Sequence, residues 1–157
     1  MIYRHVFVLA SVLLVIRREV GRHRWTETGG PLAGYVSEDH ALVVTHAAGP
    51  GRRGQRNLFS VVIDGADAQA FCDAVYRESG GLFDYVGDWH RHVGWSLNHS
   101  RRDTAAMRQV AEHEHCPIQN PVSLIYRTFP EKFVVYVLND EQLLEPVVCS
   151  TLLALPG

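Results

Sequence analysis

Long apolar runs are scarce in this sequence. The most apolar stretch, residues 6–16 after Arg4 and His5, falls well short of the roughly 20 residues a helix needs to span a bilayer. Arg17, Arg18 and Glu19 follow it at once with no small-residue cleavage site, which argues against a secretory leader. A buried strand passing into a helix is the expected reading. Cysteine is scarce too. Cys72, Cys116 and Cys149 have no CxxC spacing, which excludes a disulfide framework and a four-thiolate zinc site and fits free thiols in a reducing cytoplasm. Charge of one sign is also missing. A net charge of -2 gives no case for a nucleic-acid or polyanion partner. Internal repeats and long linkers are absent. What remains is 157 residues, 46% apolar and 20% charged, which predicts one cytoplasmic globular domain over residues 1–157 that makes no use of a membrane.

Glycine and proline punctuate the rest. Gly29-Gly30-Pro31 marks a turn, and residues 32–36 and 41–47 read as strands joined at Ser37-Glu38-Asp39. Residues 51–56 read as a flexible basic loop and 59–63 as a buried strand. Ala70, Phe71, Ala74 and Val75 recur at helical spacing within 66–78, and Gly80-Gly81 ends that helix. A strand is expected over 83–92, and a helix from Ser100 to about Glu114, stopped by Pro117. Residues 122–128 and 133–138 form a closing hairpin, and 143–153 a last extended segment. Strands interleaved with helices predict an α/β fold with a mixed β-sheet flanked by helices.

The chemistry is concentrated between residues 89 and 103. His90 and His92 stand at i and i+2 at the end of a strand, so both imidazoles point to one face. Ser100 sits where a helix N-cap belongs, and Asp103 lies in the first turn after it. Two imidazoles and one carboxylate make three protein ligands and leave a fourth tetrahedral position open, the pattern of a catalytic zinc site. A carboxylate from elsewhere in the chain is then needed as the base. His113 and His115 repeat the spacing, but in a helical stretch where i and i+2 diverge; they read as a solvated helix end. Trp89 alternates away from the histidines and reads as core.

The pattern His-x-His, seven residues, Ser-x-x-Asp resembles the signature of the JAMM (JAB/MPN) metalloprotease family, and His90, His92, Ser100 and Asp103 match it position for position. Upstream, residues 27–34 resemble the Glu-[Ser/Thr]-Gly-Gly-x-Leu-x-Gly form common in small bacterial members, with Glu27 in the place of the family's glutamate. One departure stands out: Val93 replaces the proline that usually follows the second histidine. It is no ligand, so a change in loop stiffness without loss of metal is implied.

The resemblance implies a three-layer JAB/MPN fold, related to that of cytidine deaminases, with Zn2+ held by His90, His92 and Asp103. It implies that Glu27 shuttles the proton of the attacking water and that Ser100 donates a hydrogen bond near the developing oxyanion. The implied activity is cleavage of an isopeptide or peptide bond after the C-terminal glycine of a ubiquitin-like protein, by deconjugation or precursor processing. Activating and conjugating enzymes are the implied partners, in a bacterial antiphage setting. Arg52 and Arg53 of the basic loop, and Trp95 beside the site, are candidate substrate contacts. A non-catalytic MPN scaffold is the alternative, but such members usually lose a ligand and this chain keeps all five site residues. A nucleobase deaminase would need a His/Cys-x-Glu and a Pro-Cys-x-x-Cys motif; here Cys116-Pro117 is reversed and unpaired.

Overall fold

The apolar opening stretch divides where its periodicity changes. In the computed structural model, which describes residues 2–155, strand β1 (His5–Leu9) buries Val6 and Val8 completely and runs straight into helix α1 (Ala10–Arg22). Val12, Leu13, Ile16 and Val20 recur at helical spacing on α1 and are all buried. Strands β2 (Thr28–Val36) and β3 (Ala41–Ala47) form the expected hairpin, turned by Ser37, whose hydroxyl accepts the Ala41 N–H at 3.1 Å. A short hairpin of β4 (Gln55–Arg56) and β5 (Val61–Val62) leads to helix α2 (Gly65–Glu78), capped by the Asp64 side chain. Strand β6 (Asp84–Arg91), helix α3 (Arg101–Ala111) and strands β7 (Val122–Arg127), β8 (Lys132–Leu138), β9 (Leu144–Val147) and β10 (Cys149–Leu152) complete the order.

Eight strands form one mixed sheet in the order β10-β1-β3-β2-β6-β7-β8-β9. β9 and β10 pair with its opposite ends, yet only Val148 separates them in the chain. The sheet therefore curls until one segment bridges both sides: Val147 pairs with Val135 of β8, and Cys149 with Val6 of β1. Helix α1 fills the enclosed face, packing against Val8, Leu32, Leu42, Trp89, Leu124 and Val135 among others. Alternation sends Ile125 and Tyr136 to the other face, where Met107 of α3 covers them together with Leu138 and Leu144. α2 packs against β2 and β6. No helix among the described residues is long and apolar enough to cross a membrane.

Three expectations change. Gly29-Gly30-Pro31 is not a turn: all three residues are buried within β2 and paired with β6. Residues 59–63 are not a buried strand: only Val61 and Val62 are paired, Phe59 is 78% exposed and Val62 51%. Their sole strand partners are Gln55 and Arg56, so this apolar stretch stands outside the large sheet as a wall above it. Residues 143–153 are not one extended segment either, because the chain changes neighbours at Val148.

Candidate metal centre

Close contact between β2 and β6 brings the two sequence motifs together. Antiparallel register sets Thr28 against Arg91 and Gly29 against His90, so one further step carries Glu27 opposite His92. Side chains are not tolerated at this point of β2, against β6 at Gly29 or against the segment after β3 at Gly30. A Cβ on Gly29 would lie 2.3 Å from the Trp89 carbonyl oxygen, and one on Gly30 1.9 Å from that of Ala48. The Gly-Gly pair is thus a packing requirement that positions Glu27. Glu27 is tied down by its own N–H, which donates to the Asn57 carbonyl at 2.7 Å.

On the facing strand end, His90 and His92 point to one side. Their Nε2 atoms are 2.8 Å apart, and they lie 3.2 and 3.4 Å from the two carboxylate oxygens of Asp103. Among the described residues this is the only group of three potential ligands gathered in this way. Asp103 is held by a capping box: its carboxylate accepts the Ser100 N–H at 2.6 Å, and Ser100 Oγ accepts the Asp103 N–H at 3.1 Å. The Ser100 hydroxyl proton stays free to donate. Burial alone would raise the Asp103 carboxyl, but hydrogen bonds from both imidazoles, together with the charge of His90 and the Ser100 N–H, bring it well below the usual carboxylate range. The Asp103 bond in turn raises His92. Glu27 is raised, mainly by burial and against the pull of His92 and His90.

These donors fit a zinc ion. Zn–N and Zn–O bonds of about 2.0–2.2 Å place neighbouring tetrahedral ligand atoms roughly 3.3–3.6 Å apart, and the separations of 2.8 to 3.4 Å here need only a slight spreading. The Asp103 carboxylate also has the outer hydrogen bond that metal ligands commonly carry.

Two supports were not foreseen from the sequence. Arg91, between the histidines, alternates to the opposite face and is 7% exposed. One of its terminal nitrogens donates to the carbonyls of His23, Arg24 and Thr26 at 2.7, 2.9 and 2.8 Å, gripping the loop that delivers Glu27. Strand alternation alone could have flagged it, since a charge at the centre of His-x-His must face inward. The second support joins Glu19 of α1, Arg56 of β4 and Thr28 of β2. Arg56 reaches Glu19 at 2.7 and 2.6 Å, and the Thr28 hydroxyl donates to the same carboxylate at 2.6 Å. With Glu19 only 13% and Arg56 24% exposed, this pair is largely desolvated. Arg56→Ala strands the Glu19 charge, and the expected loss is about 2–3 kcal/mol, below the range for fully buried pairs. Replacing both residues by glutamine should recover part of that loss; urea midpoints of the three proteins check it.

The centre lies in a cleft of about 700 Å³ between the β4–β5 hairpin and the start of α3. Glu27, His90, His92, Ser100 and Asp103 all line it, with Phe59 and Val61 on the hairpin side. Arg102 Nη1 closes one end by donating to the Phe59 carbonyl at 3.2 Å. The three expected substrate contacts lie outside the cleft lining. Trp95 is 73% exposed on the neighbouring loop. Arg53 is held by its backbone to Asp64. Arg52 forks onto Asp67 of α2, with Nη2–Oδ1 at 2.8 Å and its backbone N–H on Oδ2 at 2.7 Å. Hydrogen bonds from Arg52 bring the Asp67 carboxyl down to about 2. A folded value below the ordinary one of about 3.9 means that this loop anchor is fully present above pH 4 and is lost as pH falls through the folded value. A carboxylate NMR titration should place the Asp67 midpoint near 2 in the wild type and back towards 3.9 in Arg52→Ala.

The sequence matches no family model. It is 28% identical over 130 residues, 82% of this chain and 79% of the other, to a probable metalloprotease, y4qB, of Sinorhizobium fredii. It is 32% identical over 89 residues to a CD-NTase/cGAS isopeptidase of Escherichia coli, a match that spans 56% of each chain. The fold is similar to the solution structure of protein DSY2949 from Desulfitobacterium hafniense, with a TM-score of 0.71 over 96% of this chain and 94% of that one, at 13% identity.

Proposed function

We propose that this protein is a zinc-dependent isopeptidase or peptidase of the JAMM type, with a JAB/MPN fold, that cleaves after the C-terminal glycine of a ubiquitin-like protein. The observation that carries this reading is the convergence of His90, His92 and Asp103 within 3.4 Å in a cleft that also holds Glu27. The two relatives named for metalloprotease and isopeptidase activity support it. The second of them also favours a conjugation setting, in which activating and conjugating enzymes would be partners.

His90, His92 and Asp103 would hold the zinc ion. When bound, the ion supplies Lewis acidity to the attacking water and to the scissile carbonyl. Glu27 takes the proton of that water, for which its raised affinity for protons suits it, and returns it to the leaving amine. The free hydroxyl proton of Ser100 faces the carbonyl oxygen as it gains negative charge. None of the three cysteines takes part. Burial raises each thiol, so none is a ready nucleophile. The exposed apolar side chains of the β4–β5 hairpin, Leu58 and Phe59, offer a wall for an extended tail running past the metal.

The test measures zinc by elemental analysis and cleavage of a ubiquitin-like protein fused through its terminal glycine to a reporter. About one zinc per chain, with cleavage that chelation abolishes and added zinc restores, is the expected result. Zinc-free protein prepared without chelator would overturn the mechanism and favour a binding scaffold.

A further inference from the structure

A second cleft, of about 540 Å³, opens between α2 and α3 and meets the metal cleft at Ile63 and Asp88, which line both. Its walls carry Asp73, Asp84 and Asp88, with no lysine or arginine among the lining residues; its only basic groups are the imidazoles of His113 and His115. Among the described residues none of the three carboxylates belongs to an ion pair. Asp73 accepts only from Gln69, at 2.8 Å, and Asp84 from the Tyr85 N–H at 2.7 Å.

The independent sign of a missing occupant is Tyr85. The side chain lines this cleft, and its hydroxyl oxygen is out of contact with solvent and has no hydrogen-bond partner among the described residues. It lies towards Asp88 without reaching bonding geometry. An orphaned buried hydroxyl destabilises the fold, a cost that an acceptor brought by a ligand would remove. The local potential is negative in its effect as well: burial first, and then Asp84, Asp88 and Asp73, push the Cys72 thiol up to about 12. Tyr76, 48% exposed at the rim, adds an aromatic ring of the kind on which organic cations settle.

We propose that this cleft is a second binding site, taking the guanidinium or ammonium group of a basic side chain on an extended polypeptide. The carboxylates meet the cation, and a backbone carbonyl of the same polypeptide accepts from Tyr85. Because the two clefts join at Ile63 and Asp88, the occupant is a segment of the polypeptide that lies across the metal centre; this identification rests on the proposed peptidase function, whereas the binding itself does not.

The test uses the zinc-free full chain at pH 8, where cleavage plays no part. The probes are the tripeptide acetyl-Ala-Arg-Ala-amide, its lysine counterpart and its neutral citrulline counterpart. Saturable NMR shifts of the Gln69, Asp73, Gln109 and Val110 amides are expected with the cationic peptides, and about tenfold weaker binding with citrulline, the scale of one lost charge contact. Whichever of arginine and lysine binds more tightly names the cation. Asp73→Asn combined with Asp84→Asn should weaken binding about tenfold or more while leaving the melting temperature unchanged. Tyr85→Phe should weaken it without lowering that temperature, since its hydroxyl has no bond to lose. Equal binding of the citrulline peptide, shifts confined to the metal cleft, or affinity unchanged in the asparagine variant would overturn the site and leave the peptidase reading untouched.

Discussion

The His90→Ala/His92→Ala variant will bind no stoichiometric zinc, and its cleavage of a glycine-linked ubiquitin-like fusion will fall to background. Two of the three proposed ligand atoms disappear, and Asp103 alone would not hold the ion. The loss should also be visible without any substrate. Zinc present at 1,000 times its dissociation constant adds about 4 kcal/mol to the stability of a protein that binds it only when folded. The wild type should therefore lose several degrees of melting temperature on chelation, and the variant should show no response to the chelator. A variant that still responds would place the ion elsewhere.

Glu27→Gln separates the proposed base from the proposed ligands. Its expected effect is a fall in kcat of about 10²–10⁴-fold, the usual worth of a positioned general base. Zinc content should stay near one per chain. Because burial raises the Glu27 carboxyl, its ionised form is disfavoured in the fold, and the neutral amide should not lower stability. A melting temperature equal to or above that of the wild type, with zinc retained and turnover lost, would set Glu27 apart from the residues that hold the loop. Arg56 and Arg91 act through that loop, so replacing either should lower stability and turnover together.

The centre was legible in the sequence because its parts follow short-range rules. Strand alternation fixes the common direction of His90 and His92. The Ser100 cap fixes Asp103 one helical turn away, and both relations are present in the fold. The meeting of Glu27 with this group was reached only through the family resemblance; in the fold it depends on the β2–β6 register and on two glycines that admit no side chain. The supports were harder to see. Glu19 and Arg56 are far apart in the chain, and nothing local announces that a loop arginine will bury its charge against a helix. Residues 59–63 misled because Phe59, Val61, Val62 and Ile63 have the composition of a core strand, whereas Phe59, Val61 and Ile63 line a cleft and Val62 is half exposed. The basic loop carries partners that its composition did not announce. Its arginines suggested a grip on substrate, but Arg52 and Arg56 already have carboxylate partners within the chain.

The single residue between β9 and β10 also governs how the molecule must assemble. β1 sits between β3 and β10, and residue 6 finds its neighbour at residue 149, so the seam joins the most distant parts of the chain. Such non-local pairing carries a large loop-closure cost and is among the last contacts to form, which makes folding slow relative to helical proteins of this size. Once formed, the seam leaves little unpaired backbone along β1 or β8 for a neighbouring molecule to use as a template. A chain shortened at Val148 would lose that protection on the β1 side, and the complement it would seek is β10 of a full-length copy.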